Sequence, residues 1–93
     1  MHYIRLCYDK PGMIERRKAL LDVHRAYFRG HAMPILAAGP LCASDTSDDD
    51  IGSFMLLEAA SIKEVWALHE GDPYTIDGIF GEVRIDRLIK KIG

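Results

Sequence analysis

Residues 2–31, HYIRLCYDKPGMIERRKALLDVHRAYFRGH, change their hydrophobic period part-way along, and that change decides the fold class. His2–Tyr8 carry the aromatic and β-branched content of a strand, with apolar and polar residues alternating. Asp9-Lys10-Pro11-Gly12 breaks the run, because Pro-Gly is a strong turn signal. From Met13 to about His31 the pattern becomes helical: Met13, Arg17, Leu20, Leu21, His24, Tyr27 and Phe28 fall on one face at three- and four-residue spacing. Gly30 near the end fits either a frayed last turn or a glycine-assisted stop.

Working outward, residues 33–42 contain Ile35 and Leu36 and then Ala37-Ala38-Gly39-Pro40-Leu41. Pro34 and Pro40 cannot donate to a sheet ladder, so this strand belongs at an edge. The segment 43–50, Ala-Ser-Asp-Thr-Ser-Asp-Asp-Asp, reads as a polar loop, and Gly52–Ala59 as a central strand with the near-continuous apolar run Phe54–Leu57. Ser61, three residues before Glu64, marks a second helix by the spacing of a capping box. Ile62, Val65, Trp66 and His69 share its apolar face, Gly71 ends it, and Asp72-Pro73 follows as a turn. After a short stretch at Tyr74–Gly78, Phe80–Leu88 reads as the last strand. The order β-α-β-β-α-β with right-handed crossovers specifies α+β architecture of the ferredoxin-like type: a four-stranded antiparallel sheet with both helices on one face. The bare face of such a sheet calls for a second copy, so a sheet-to-sheet homodimer is expected.

Composition narrows the function classes. Ninety-three residues support one domain, 1–93, and a domain of this size buries only roughly 65% of its unfolded surface. The 48% apolar and 28% charged content is that of a globular protein. With a net charge of −2 and no basic stripe, no nucleic-acid partner is expected. No apolar run approaches the ~20 residues of a membrane span and no signal peptide is evident, so a cytoplasmic protein without membrane contact is expected. Cys7 and Cys42 match no metal or redox spacing and read as reduced, buried thiols.

His24 is the informative residue, since it sits near the centre of the core-facing stripe. Burying its ring without a partner costs on the order of 1–3 kcal/mol, so it has an internal hydrogen-bond partner or a cleft reaches it. A structural histidine and a functional one both satisfy that requirement. Asp72, just after the helix that packs beside the first, is the candidate partner; a carboxylate on one imidazole nitrogen fixes the tautomer and leaves the other free for acid–base work. As Asp-Pro it also reads simply as a turn. Gly39 and Pro40 either shape a cleft, glycine allowing close backbone approach and proline stiffening the turn, or merely terminate a strand. Tyr74 either orients or stacks on a substrate, or fills the core or a dimer interface.

The other candidates carry less. Asp45, Asp48, Asp49 and Asp50 lack the glycine and glutamate of a calcium loop and read as solvated. His69 suits a structural or cleft-wall role near a helix end. No metal-ligand spacing and no glycine-rich phosphate loop occurs, so neither metal nor organic cofactor is expected.

The segment around His24, then Ala38-Gly39-Pro40, then Asp72-Pro73-Tyr74 followed by Gly78, resembles the YciI-like (YCII-related) family over nearly the whole chain. That resemblance implies a dimeric α+β barrel of ferredoxin-like domains with a His-Asp active-site pair, here His24 and Asp72. It also implies relatives that remove chloride from a chlorinated hydroxyhydroquinone, or that share the fold with lactone isomerases and cofactor-free monooxygenases. The short acidic segment Asp45–Asp50 departs from the family's common length and alters the cleft rim. The leading expectation is a cofactor-independent enzyme doing proton-transfer chemistry (elimination, isomerisation or hydrolysis) on a small, aromatic or enol-type substrate, with Gly39, Pro40 and Tyr74 in the substrate cleft. The alternatives are a non-catalytic module holding a metabolite in the same cleft, and a cofactor-free monooxygenase.

Overall fold

A computed structural model describes all residues, 1–93. The elements are β1 (His2–Asp9), α1 (Ile14–Arg29), β2 (Ile35–Ser44), β3 (Ser47–Glu58), α2 (Ile62–Gly71), α3 (Pro73–Ile76) and β4 (Phe80–Leu88). The strands form one antiparallel sheet in the order β2-β3-β1-β4, the ferredoxin-like α+β arrangement. β1 is hydrogen-bonded on both sides, with Arg5 opposite Met55 on β3 and Ile85 on β4. Its odd-numbered residues Tyr3, Arg5 and Cys7 are buried, as the two-residue period of a strand requires for one covered face. Tyr3, Met55, Leu57 and Ile85 of the sheet pack with Phe28 of α1 and Val65 and Leu68 of α2; a second cluster gathers Cys7, Tyr74, Ile79 and Phe80 beneath α3.

The expected cap on α2 forms: Ser61 Oγ accepts from the Glu64 N–H at 3.4 Å. The Glu64 carboxylate reaches back to the Ala60 N–H at 3.1 Å, one residue earlier than a reciprocal box would place it. Gly71 is the last helical residue, and it is there for packing: a Cβ would lie 2.3 Å from the Tyr27 hydroxyl. Pro73 is what stops α2, since the residue before a proline is driven out of helical backbone and Asp72 is extended (φ −62°, ψ 126°).

Three expectations need correction. The segment 43–50 is not a loop. β2 and β3 run through it as a hairpin with only Asp45 and Thr46 in the turn, and Ser44 pairs with Ser47. Aspartates are poor strand formers, but ladder bonds to a neighbouring strand override that preference. The stretch after Pro73 is a short helix rather than a simple turn, because Asp72 caps it: its Oδ1 accepts from the Tyr74 N–H at 2.9 Å. Cys42 is exposed and only Cys7 is buried, since β2 is the sheet's outer strand. That edge position for β2 is the one Pro40 requires.

Candidate active site

Asp72 stands at the junction of α2 and α3, completely buried, where the helix break turns its side chain inward. His24, on the third turn of α1, meets it with Nδ1 at 2.8 Å from Oδ1. Arg5 rises from the middle of β1 and donates from Nη2 to Oδ2 at 2.6 Å. The carboxylate therefore accepts from imidazole, guanidinium and the backbone of Tyr74. Burial alone would raise its pKa, but the His24 hydrogen bond and the Arg5 charge outweigh that and hold it below the usual carboxylate range. An ionised carboxylate can only accept, so His24 Nδ1 carries the ring proton and Nε2 is the basic nitrogen of the neutral ring.

The His24 ring is clamped from two sides. Tyr74 stacks flat against it, with centroids 3.9 Å apart and an interplanar angle of 10°, and Phe28 meets it edge-on at 4.9 Å. Its side chain keeps 17% exposure, on a cleft of about 320 Å³, a volume at the small-molecule end of ligand pockets. Arg5, Arg17, Arg25, Ser53 and Pro40 are among the other lining residues.

Arg17 forms the second polar centre. It bonds both oxygens of Asp9 (Nε–Oδ2 2.5 Å, Nη2–Oδ1 3.1 Å) and donates to Ser53 Oγ at 2.6 Å, with Asp50 at 4.0 Å. Its guanidinium lies 4.8 Å from the Tyr74 ring centroid. The Tyr74 hydroxyl donates to the Arg17 carbonyl at 3.3 Å, so this tyrosine offers the cleft its ring and not a free hydroxyl.

The structure thus brings together His24, Asp72 and Tyr74, and it lines the same cleft with Gly39 and Pro40. Gly39 does not mark a close backbone approach: a Cβ there would meet no atom within 4 Å. His69 is buried away from the cleft, beside Trp66 and Phe80, and burial chiefly, with the Arg5 charge, pushes its pKa down to about 4. Burial likewise raises the Cys7 thiol, against the opposing pull of Arg5, so Cys7 stays a thiol and not a nucleophile. No three His, Cys, Asp or Glu side chains come together as a metal-ligand set.

Arg5, Arg17 and Ser53 escaped the reading of the sequence as site residues. The signal for two of them is present: Arg5 shares strand parity with Tyr3 and Cys7, and Arg17 sits on the apolar stripe of α1. An arginine on a face destined for burial demands a carboxylate partner and hence marks a polar centre.

Sheet order and cleft together define a class of protein. Residues 1–89 match the YCII-related domain, and the chain belongs to that family. Among relatives, it is 28% identical to the protein YciI of Escherichia coli over 91 residues, which cover 91% of this chain and 93% of that protein. Among solved structures, it is similar to the 5-chloro-2-hydroxyhydroquinone dehydrochlorinase TftG of Burkholderia phenoliruptrix in complex with 2,5-dihydroxybenzoquinone. The identity is 30%, the TM-score 0.89, and the match covers 96% of this chain and 94% of that one. PA3566 of Pseudomonas aeruginosa, at 14% identity and a TM-score of 0.56 over 98% of this chain and 93% of that one, shares the fold alone.

Proposed function

We propose that this protein is a cofactor-independent enzyme that moves protons on a small hydroxylated, ring-shaped substrate, with His24 as general base and acid and Asp72 as its orienting partner. The observation that carries the reading is the 2.8 Å contact between His24 Nδ1 and a fully buried Asp72 carboxylate, with the same ring part-exposed on a cleft. Similarity to a dehydrochlorinase supports an elimination. On a halogenated hydroquinone, Nε2 takes one hydroxyl proton and returns it to the halogen-bearing ring carbon. It then takes the proton of a second hydroxyl; the freed electron pair becomes a carbonyl as halide departs with its bonding pair. The net loss is one hydrogen halide, and no external oxidant is needed. Tyr74 keeps the imidazole in plane and Pro40 and Gly39 form the cleft's edge-strand wall.

We also read the chain as a single YCII-related domain that pairs with a second copy. Ile4, Leu6, Phe54 and Leu56 occupy the sheet face opposite the helices and are part-exposed, which supports sheet-to-sheet dimerisation. Two free thiols fit a reducing, cytoplasmic setting.

Chloride release from 5-chloro-2-hydroxyhydroquinone tests the activity, with halogenated phenols and lactones as a wider panel. The expected result is turnover by the wild type that falls ~10²–10⁴-fold in His24→Gln, the range typical of losing an acid–base group, with the fold intact by circular dichroism. Undiminished turnover in that variant removes His24 from the chemistry. Ligand binding without turnover across the panel makes the cleft a binding module instead.

A further inference from the structure

Each buried arginine of the cleft already has its counter-ion. Arg5 is paired with Asp72, and Arg17 holds both oxygens of Asp9. Those pairs leave two groups with hydrogen bonds to spare, and both flank the Arg17 guanidinium. Ser53 Oγ accepts from Arg17 Nη2 at 2.6 Å. Arginine has no acceptor to offer in return, so the Ser53 proton needs another, and no protein atom supplies one. Asp50 Oδ2 lies 4.0 Å from Arg17 Nη1, too far for a hydrogen bond, and no donor in the protein reaches this carboxylate. Both residues line the cleft. A free donor and a free acceptor on one guanidinium match a hydroxyl group, which both gives and takes; a carbonyl, an ether or a halogen only takes. His24 marks the opposite end. Arg17 and His24 stand two turns apart on α1, about 10 Å along its axis. The Tyr74 ring fills the interval, with its centroid 3.9 Å from that of His24 and 4.8 Å from the Arg17 guanidinium. A benzene ring with oxygens at opposite corners, hydrogen-bonded at each end over about 2.8 Å, spans about the same length.

We propose that Asp50 and Ser53 are the specificity-determining residues of the cleft and together read a neutral hydroxyl group. The hydroxyl donates to the Asp50 carboxylate and accepts from Ser53 Oγ, while a second hydroxyl at the opposite corner of the same ring faces His24. The cleft then selects single rings with para hydroxyls over rings that carry a halogen, an ether or a carbonyl at the far corner. This rests on the cleft being the substrate site, as proposed above, but not on His24 transferring protons.

Titration calorimetry under argon compares hydroquinone with 4-fluorophenol and resorcinol, all uncharged at neutral pH. Fluorine is close to hydroxyl in size but donates nothing, and the second hydroxyl of resorcinol points away from the far end. The wild type should bind hydroquinone at least ~10-fold tighter than either, the worth of one hydrogen bond to a charged group. Asp50 is part-exposed, so Asp50→Ala leaves no buried charge behind. That variant should lower affinity for hydroquinone about 10-fold and leave 4-fluorophenol within about twofold. Equal affinity of the wild type for hydroquinone and 4-fluorophenol, or an unchanged preference in Asp50→Ala, overturns the proposal. Carboxyl 13C spectra of the wild type give a check that needs no variant. Hydroquinone must shift the Asp50 resonance and 4-fluorophenol must not; shifts at Asp48 or Asp49 alone overturn it. The two proposals fail separately. Binding without preference removes the hydroxyl-reading pair alone, whereas an Asp50-dependent preference with full turnover in His24→Gln keeps that pair and removes the dyad. No binding of any ring overturns both.

Discussion

Asp72→Asn is the most informative perturbation, because one carboxylate serves Arg5, His24 and the Tyr74 backbone at once. Asparagine keeps the size but has one acceptor where the carboxylate has two. If its oxygen stays toward His24 and the Tyr74 N–H, its NH₂ faces Arg5 Nη2, donor against donor, and the guanidinium is left without a counter-charge. Flipping the amide transfers the clash to the other two donors. Breaking one side of a buried pair costs roughly 3–5 kcal/mol, and the retained acceptor places this case at the low end, about 3 kcal/mol. For 93 residues at roughly 2.1 cal/mol/K each, that lowers Tm by ~15 °C. The pH dependence carries the sharper test. The folded-state pKa of Asp72 lies below its unfolded value, so its stabilisation is fully present above about pH 4 and is lost as pH falls through the folded pKa. The gap between wild type and variant should then close with acid, because the protonated wild-type side chain has also lost its charge. Urea denaturation at pH 7, 5, 4 and 3, followed by far-ultraviolet circular dichroism, measures it. The double variant Arg5→Met with Asp72→Asn should cost less than the sum of the singles, since it removes both charges together. A loss below about 0.5 kcal/mol at pH 7, where surface substitutions fall, or a gap that does not change with pH, refutes the reasoning.

Other outcomes follow from separate features. His69, with its folded pKa of about 4 against 6.5 unfolded, favours the neutral form in the folded state; stability is complete above pH 6.5 and declines as pH falls toward 4. The loss should reach about 2 kcal/mol at pH 5 and be absent in His69→Phe, as read by the same denaturation series. Gly52→Ala should cost about 3 kcal/mol, because its Cβ would lie 2.3 Å from the Cys7 carbonyl oxygen within the β1–β3 ladder; thermal melts check this. A thiol reagent should modify Cys42 readily and Cys7 only on unfolding, which mass spectrometry after partial labelling resolves. Sedimentation should give twice the 10.5 kDa chain mass for the wild type and the single mass for Leu6→Arg, whose charge would fall on the apolar sheet face.

Much of the fold is legible in the sequence because its signals are local. The change of period after Gly12, Ser61 with Glu64, and Pro34 and Pro40 before and within the edge strand each report on their own neighbourhood, and strung in order they specify the sheet. His24 is legible for the same reason, as one polar ring among apolar neighbours. The carboxylate at Asp72 was readable only as half of a pair. What stayed hidden depends on partners distant in the chain. Arg5 acquires its meaning from a residue 67 positions away and Arg17 from Ser53, 36 away. The 43–50 hairpin exists because each strand supplies the other's ladder, which no window of aspartates discloses. Tyr74 does lie beside His24, but its hydroxyl partner, a main-chain carbonyl on another element, leaves no mark on side-chain identity.

The cleft is built on unequal supports. Its floor, Arg5, belongs to a strand bonded along both edges, and the His24 ring is wedged between Tyr74 and Phe28. One wall is the outermost strand, where Gly39 has open space around it and Pro40 is exposed, and it continues into the acidic hairpin. Lengthening, shortening or recolouring that wall leaves the hydrogen-bonded His24–Asp72 pair untouched. Such a division puts the cleft's shape under the control of a margin of the sheet, and the buried pair under the control of its centre.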